Sequence, residues 1–196
     1  LNPIQKMQTW LDKRFGFGYG SYLVYFSPLI YGAHSTSRFE DQGFNQTVMF
    51  IARADYDKEL SKIQNELLES RVVFTEIDHN YVNPVSDLYL KEINKVLSNR
   101  EKWALPEITD AYSNPYMIFN EYMTFGVYSL YITDNYNEDE VKTYLPKLNT
   151  MMTDARGFIK FKDFNDVLIE KYKQNKTISM SDLYVYMLGW CTQQNK

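Results

Sequence analysis

Thr75-Glu76-Ile77-Asp78-His79 is the part of the chain whose residue types and spacing point most directly to chemistry. Residues at i and i+4 share one face of a helix, so two histidines at that spacing can hold zinc through neutral imidazoles. A glutamate beside the first of them then polarises the zinc-bound water. That arrangement is H-E-x-x-H, and here threonine stands in place of the first histidine. Glu76 occupies the general-base position and His79 the second ligand position, while Thr75 leaves a ligand position vacant, because a neutral hydroxyl is a weak zinc ligand. Catalytic zinc takes three protein ligands and leaves one position for water. The chain owns two histidines, His79 and His34. Zinc is therefore the one cofactor the pattern suggests, and the histidine count argues against tight binding. His34 follows the Pro28 turn and reads as a loop histidine at a strand edge, its functional alternative being to reach the cleft from that edge.

The elements that must position these residues are legible from periodicity. Asn2-Pro3 reads as an N-cap followed by proline at the first helical position. Ile4, Met7, Trp10, Leu11 and Phe15 form one helix face, and Gly16 ends the helix. Gly16, Gly18 and Gly20 precede a strand, which favours a flexible turn over a phosphate-binding loop. Ser21 to Ser27, the short polar segment around Ser35 to Phe39, and Gln46 to Ala52 read as strands of a small antiparallel sheet. From Asp55 the period turns helical. Leu60, Ile63, Leu67 and Leu68 mark one helix; Val72, Val73, Phe74, Ile77 and Tyr81 mark its continuation or a second one, stopped at Asn83-Pro84. Ser86 is the expected cap of a helix through Leu97, and Trp103 to Pro106 reads as a loop. Asn114-Pro115 opens a long apolar helix to about Asp134. Amphipathic helices follow near Glu138 to Met152, Phe161 to Gln174 and Ser181 to Gln193.

Composition bounds the answer. The 196 residues fit one domain, with residues 1–54 holding a helix and the small sheet and residues 55–196 the helical part. A formal net charge of −4, with lysine and arginine scattered, gives no attraction for nucleic acid. No apolar run is long enough for a transmembrane segment. The first residue is leucine, so a fragment of a longer precursor is expected. One cysteine, Cys191, excludes an internal disulfide and a cysteine-built zinc site. Aromatic residues make up 16%, spread through every element, which reads as a core built with rings.

Phe74 to Pro84, FTEIDHNYVNP, resembles the HEFSHSFVNP-type motif of an uncharacterised bacterial family of zinc metallopeptidase-like proteins, a domain of unknown function. His79, the aromatic Tyr81 and then Val82-Asn83-Pro84 carry the match. Tyr22 to Ala33, YLVYFSPLIYGA, and Arg156 to Phe161, RGFIKF, are similar to two further segments of that family. The resemblance implies an α+β, zincin-like fold of gluzincin type, with the small sheet ahead of the motif helix, and a periplasmic or secreted location. It also implies a third metal ligand, a glutamate on a later helix, and Glu121 is the candidate. Met117, Ile118, Phe119, Met123 and Phe125 surround that position, so a carboxylate there must be paired, metal-bound or at a cleft edge. Tyr122, Tyr128 and Tyr131 are candidate phenol donors on the same helix.

A different ligand set uses Glu76 and His79 as an E-x-x-H pair of the kind that binds iron or manganese in helical bundles, with Glu121 and Asp78 as added carboxylates. Three readings follow. One is a zincin-like domain, impaired or inactive as a hydrolase, that binds a peptide or protein partner. Another is an active metal-dependent peptidase in which His34 or water fills the vacancy. The last is a non-zincin helical binding domain in which His79 is a core histidine.

Overall fold

The computed structural model describes residues 3–30, 34–52 and 56–195. The expected cap at Asn2, the end of the Tyr22 to Ala33 segment and the expected helical start at Asp55 lie outside the described residues. Helix α1 spans Pro3–Phe15 and is followed by β1 (Ser21–Phe26), a 3-10 turn (Pro28–Ile30), β2 (Ser35–Asp41), β3 (Phe44–Ile51) and α2 (Lys62–Leu88). Then come α3 (Leu90–Val96), a 3-10 turn (Arg100–Lys102), α4 (Pro106–Ala111), α5 (Pro115–Asn135) and α6 (Glu138–Thr150). A π-helical turn (Met151–Ala155), α7 (Phe161–Gln174) and α8 (Met180–Gln193) complete the order. The protein is thus α+β, a small sheet followed by a mainly helical region. Two compact units divide it, Leu1–Tyr81 and Val82–Lys196, the boundary falling within α2.

In the first unit α1 stops where its sequence says it should. Gly16 adopts φ +77°, which only glycine reaches without strain, and its N–H donates to the Asp12 carbonyl at 2.9 Å. Met7 and Leu11 are buried, and Trp10 packs against Phe74 of α2 with ring centroids 6.2 Å apart.

The sheet is mixed rather than antiparallel, in the order β1-β3-β2. β2 and β3 form a hairpin through Gln42 and Gly43, both at positive φ, the conformation a two-residue type I′ turn needs. β3 lies between β2 and β1 and runs parallel to β1. Its Thr47, Met49 and Ile51 are buried on one face. Alternation within a strand fixes which side chains share a face and says nothing about which strand lies alongside, so the parallel pair could not be read from the pattern.

The motif segment lies on one continuous helix. α2 runs through Asn83-Pro84 to Leu88, where the sequence pattern placed a stop. Pro84 has no N–H to offer the carbonyl of Asn80. The Tyr19 hydroxyl takes that acceptor at 2.6 Å, so the helix passes the proline with the carbonyl satisfied. Ser86 is therefore inside α2 and caps nothing; its hydroxyl meets that of Tyr184 at 3.2 Å. The chain breaks instead at Tyr89, whose φ of −112° and ψ of 17° are not helical. α4 also begins inside the expected loop, with Pro106 at its first turn, where a missing N–H costs nothing.

The second unit is built around α5, whose residues from Ile118 to Ile132 are all buried. Its start follows the sequence: the Asn114 side chain accepts from Met117 N at 2.9 Å and Pro115 opens the first turn. Gly126 lets α7 approach, since a Cβ there would stand 2.6 Å from a methyl of Leu168. Side-chain caps at Asn137 and Ser179 start α6 and α8. Among the described residues no helix is long and apolar enough to cross a membrane.

Candidate functional site

The motif residues divide between two sides of α2. At about 100° per residue, Glu76 and His79 project from neighbouring directions, with Thr75 beside His79, whereas Asp78 points about 160° away from Glu76. Glu76 and His79 are half-buried. Thr75 is buried, and its hydroxyl turns back to donate to the Val72 carbonyl at 3.2 Å. That back-bond is the ordinary resting place of a threonine hydroxyl on a helix.

Asp78 does not face the site. Its side chain is fully buried, and neither carboxyl oxygen has a hydrogen-bond partner among the described residues. Burial holds its pKa well above the ordinary carboxylate range. A carboxyl in that setting is held as the neutral acid, which is a poor metal ligand.

His34 serves the sheet. Its Nδ1 accepts from the backbone N–H of Ala52 at 3.2 Å, joining the start of β2 to the end of β3.

Glu121, in the second unit, is buried on α5, and its Oε2 receives the Arg156 guanidinium at 2.7 Å. Arg156 also donates to the Tyr112 hydroxyl at 3.1 Å and lies 4.7 Å above the Phe125 ring and 5.6 Å from that of Phe158. The guanidinium comes from the Arg156-Gly157-Phe158 turn. Gly157, at φ +70°, packs where a Cβ would strike Ile108, and its carbonyl accepts from Leu105 N. Of the phenols on α5, Tyr122 donates to the Trp103 carbonyl at 2.6 Å and is buried, as are Tyr128 and Tyr131. Burial drives the Tyr122 phenol well above its ordinary pKa.

Sequence reasoning missed a polar cluster beside the motif. Tyr81 donates to Asp12 Oδ1 at 2.5 Å, Tyr22 shares a short hydrogen bond with the Tyr81 hydroxyl, and Tyr22 also reaches Asp12 Oδ1 at 3.3 Å. Burial first, with the Asp12 charge adding and the Tyr81 hydrogen bond opposing, pushes Tyr22 up to about 12; burial and then the hydrogen bonds to Asp12 and Tyr22 push Tyr81 higher still. Asn80 adds a tie to the sheet, donating to Thr36 of β2 at 2.8 Å and to the Glu76 carbonyl at 3.1 Å. The available signal was Gly18, where a Cβ would stand 2.5 Å from Asp12 Oδ1. Gly18 thus lets the chain pass close over the Asp12 side chain, where any other residue would strike it.

No three His, Cys, Asp or Glu side chains among the described residues are grouped so as to hold a metal ion. Comparison with family models, with curated proteins and with solved structures finds no match.

Proposed function

We propose that the chain is a zincin-like domain whose metal site has been lost and which acts by binding a peptide or protein partner. The observation that carries this reading is how the ligand positions are engaged. Thr75 gives its hydroxyl to Val72, and Glu121 gives its carboxylate to Arg156. Of the ligand set the resemblance implies, that leaves one imidazole, His79. Such a donor set does not fit zinc, which in catalytic sites takes three protein ligands. Asp78, buried and neutral, adds nothing to an E-x-x-H set either. Support for binding comes from the sheet. β2 is an edge strand tied to α2 through Asn80 and Thr36, and an edge strand can receive an extended peptide by backbone pairing.

Zinc titration by calorimetry tests the reading. The wild type and His79→Ala are expected to bind zinc equally weakly, and neither to cleave peptide substrates. Thr75→His, which restores the second imidazole at i and i+4, is expected to raise zinc affinity by orders of magnitude. Tight zinc binding by the wild type that is abolished in His79→Ala would overturn the loss of the metal site. An unchanged affinity in Thr75→His would show that positions 75 and 79 do not share a metal face.

A further inference from the structure

The first unit leaves one face of its sheet bare. Alternate residues of a strand point to opposite sides of a sheet, and residues paired across neighbouring strands point to the same side. Thr47, Met49 and Ile51 of β3 are buried on the inner face, so Phe44, Gln46, Val48 and Phe50 stand on the outer one. The pairing sets Ser21, Leu23 and Tyr25 of β1 to one side of them, and Ser35, Ser37, Phe39 and Asp41 of β2 to the other. Gln46 Nε2 donates to Ser21 Oγ at 3.0 Å and the Tyr25 and Phe50 rings stack at 5.5 Å, both on this face. Leu23, Tyr25, Phe39, Phe44 and Phe50 are between 37% and 57% exposed. At ~200 Å² for each whole side chain, their exposed parts come to roughly 450 Å², a large apolar patch for a monomer. Among the described residues of the three strands, Asp41 alone brings a charge to this face, at the hairpin end; Arg38 and Glu40 alternate to the other side.

The rows of this face complement each other. Across β1, β3 and β2 they read Tyr25-Phe50-Ser35, Leu23-Val48-Ser37 and Ser21-Gln46-Phe39. Each row has bulk at one edge and a serine at the other. A twofold axis between two such faces, parallel to the strands, lays β1 of one copy over β2 of the other at the same level. Tyr25 then meets Ser35, Leu23 meets Ser37 and Phe39 meets Ser21 of the second copy, large over small in every row, while β3 lies over β3. A twofold across the strands, centred on the face, instead sets Leu23 on Leu23 and Ser37 on Ser37, a crowded spot beside a void, which close packing disfavours. The strand-parallel axis also keeps the strands nearly aligned, as in sheets packed about 10 Å apart, and leaves Asp41 at the rim in water. With Val48, Gln46 and the serines added, two copies bury on the order of 1,200 Å², the size at which specific interfaces begin. We propose that the outer face of the sheet binds a second copy of this chain in that orientation, a contact that does not use the unpaired edge of β2.

Sedimentation equilibrium of the whole protein over a micromolar concentration series tests this. The wild type is expected to pass from monomer to dimer. Leu23→Lys and Ser37→Asp, each placing a charge in an uncharged row, should each weaken the dimer about tenfold or more. An equimolar mixture of the two should regain it, because the new cation of one copy lies over the new carboxylate of the other while the second Leu23–Ser37 contact stays native. Melting curves at high dilution separate loss of the dimer from loss of the fold. Ser35→Arg, at the exposed start of β2, should crowd Tyr25 of the second copy and gives the same loss where Leu23→Lys lowers the melting temperature. A monomer at every concentration, or a dimer that these variants leave intact, overturns the proposal. So does a dimer that weakens in both variants and is not regained in the mixture, since positions 23 and 37 would then not meet.

Discussion

Asp78 makes a pH-dependent stability prediction that can be worked through from its surroundings. The side chain is fully buried with both carboxyl oxygens unpartnered, and desolvation is the cause that raises its pKa. Ionising it in place would leave an uncompensated charge, so the folded protein keeps the proton while the unfolded chain releases it near the ordinary aspartate value of 3.8. The folded state therefore binds more protons above that point, and stability falls with rising pH. The sign is opposite to that of a salt-bridged aspartate: the contribution is fully present below about pH 4 and is lost progressively as pH climbs toward the folded-state pKa. One proton corresponds to a slope of about 1.4 kcal/mol per pH unit across that window. Asp78→Asn removes the proton while keeping the shape. Urea unfolding of both proteins from pH 4 to pH 8 should give a difference that is small at the acid end and then grows in favour of the variant with that slope, before levelling off. Parallel stability curves would refute the reasoning, since they would mean that Asp78 ionises as easily folded as unfolded.

Other perturbations test the remaining groups. Arg156→Ala leaves the Glu121 carboxylate buried without its cation; because the Arg156 side chain is itself 32% exposed the cost should fall to about 2 kcal/mol, below that of a fully buried pair, whereas Glu121→Gln, which keeps a hydrogen-bond acceptor, should cost less. Equal losses in urea unfolding would show that the ion pair carries no special weight. Tyr81→Phe removes a phenol that donates to the Asp12 carboxylate and should cost about 2 kcal/mol, the usual range for a hydrogen bond to a charged group. Asp12→Asn in the same background should then add little; a full second loss would mean that the two residues act separately.

How much was legible depended on whether a feature is local. The helix boundaries at Phe15 and Pro115 follow from a glycine and from a capped proline start, whose effect reaches only one turn, and the structure places them where the sequence does. Pro84 failed as a stop because the acceptor it frees is met by Tyr19, a residue 61 positions from Asn80 in the chain. The same distance in sequence hid the Asp12, Tyr22 and Tyr81 cluster: each residue is unremarkable alone, and only the fold brings an aspartate of α1 to a tyrosine of α2. Glu121 was half legible. Its apolar helix demanded a partner, but nothing in the spacing of the chain pointed to Arg156, because the guanidinium arrives from a glycine-bent turn 35 residues away.

That pairing also bears on why a chain short of metal ligands would keep a carboxylate on its most buried helix. An ionised glutamate among Ile118, Phe119, Met123 and Phe125 needs a cation beside it to offset its desolvation. Arg156 supplies a permanent one, held in place by Tyr112 and by the Phe125 and Phe158 rings. Under the reading proposed above, the glutamate is then retained for folding, and the vacancy at Thr75 carries no penalty in stability. The consequence can be checked in one comparison. Chelators should leave the unfolding transition of the wild type unchanged, while Arg156→Ala alone shifts it. A transition that moved with chelator would return Glu121 to the metal and remove the ground for a lost site.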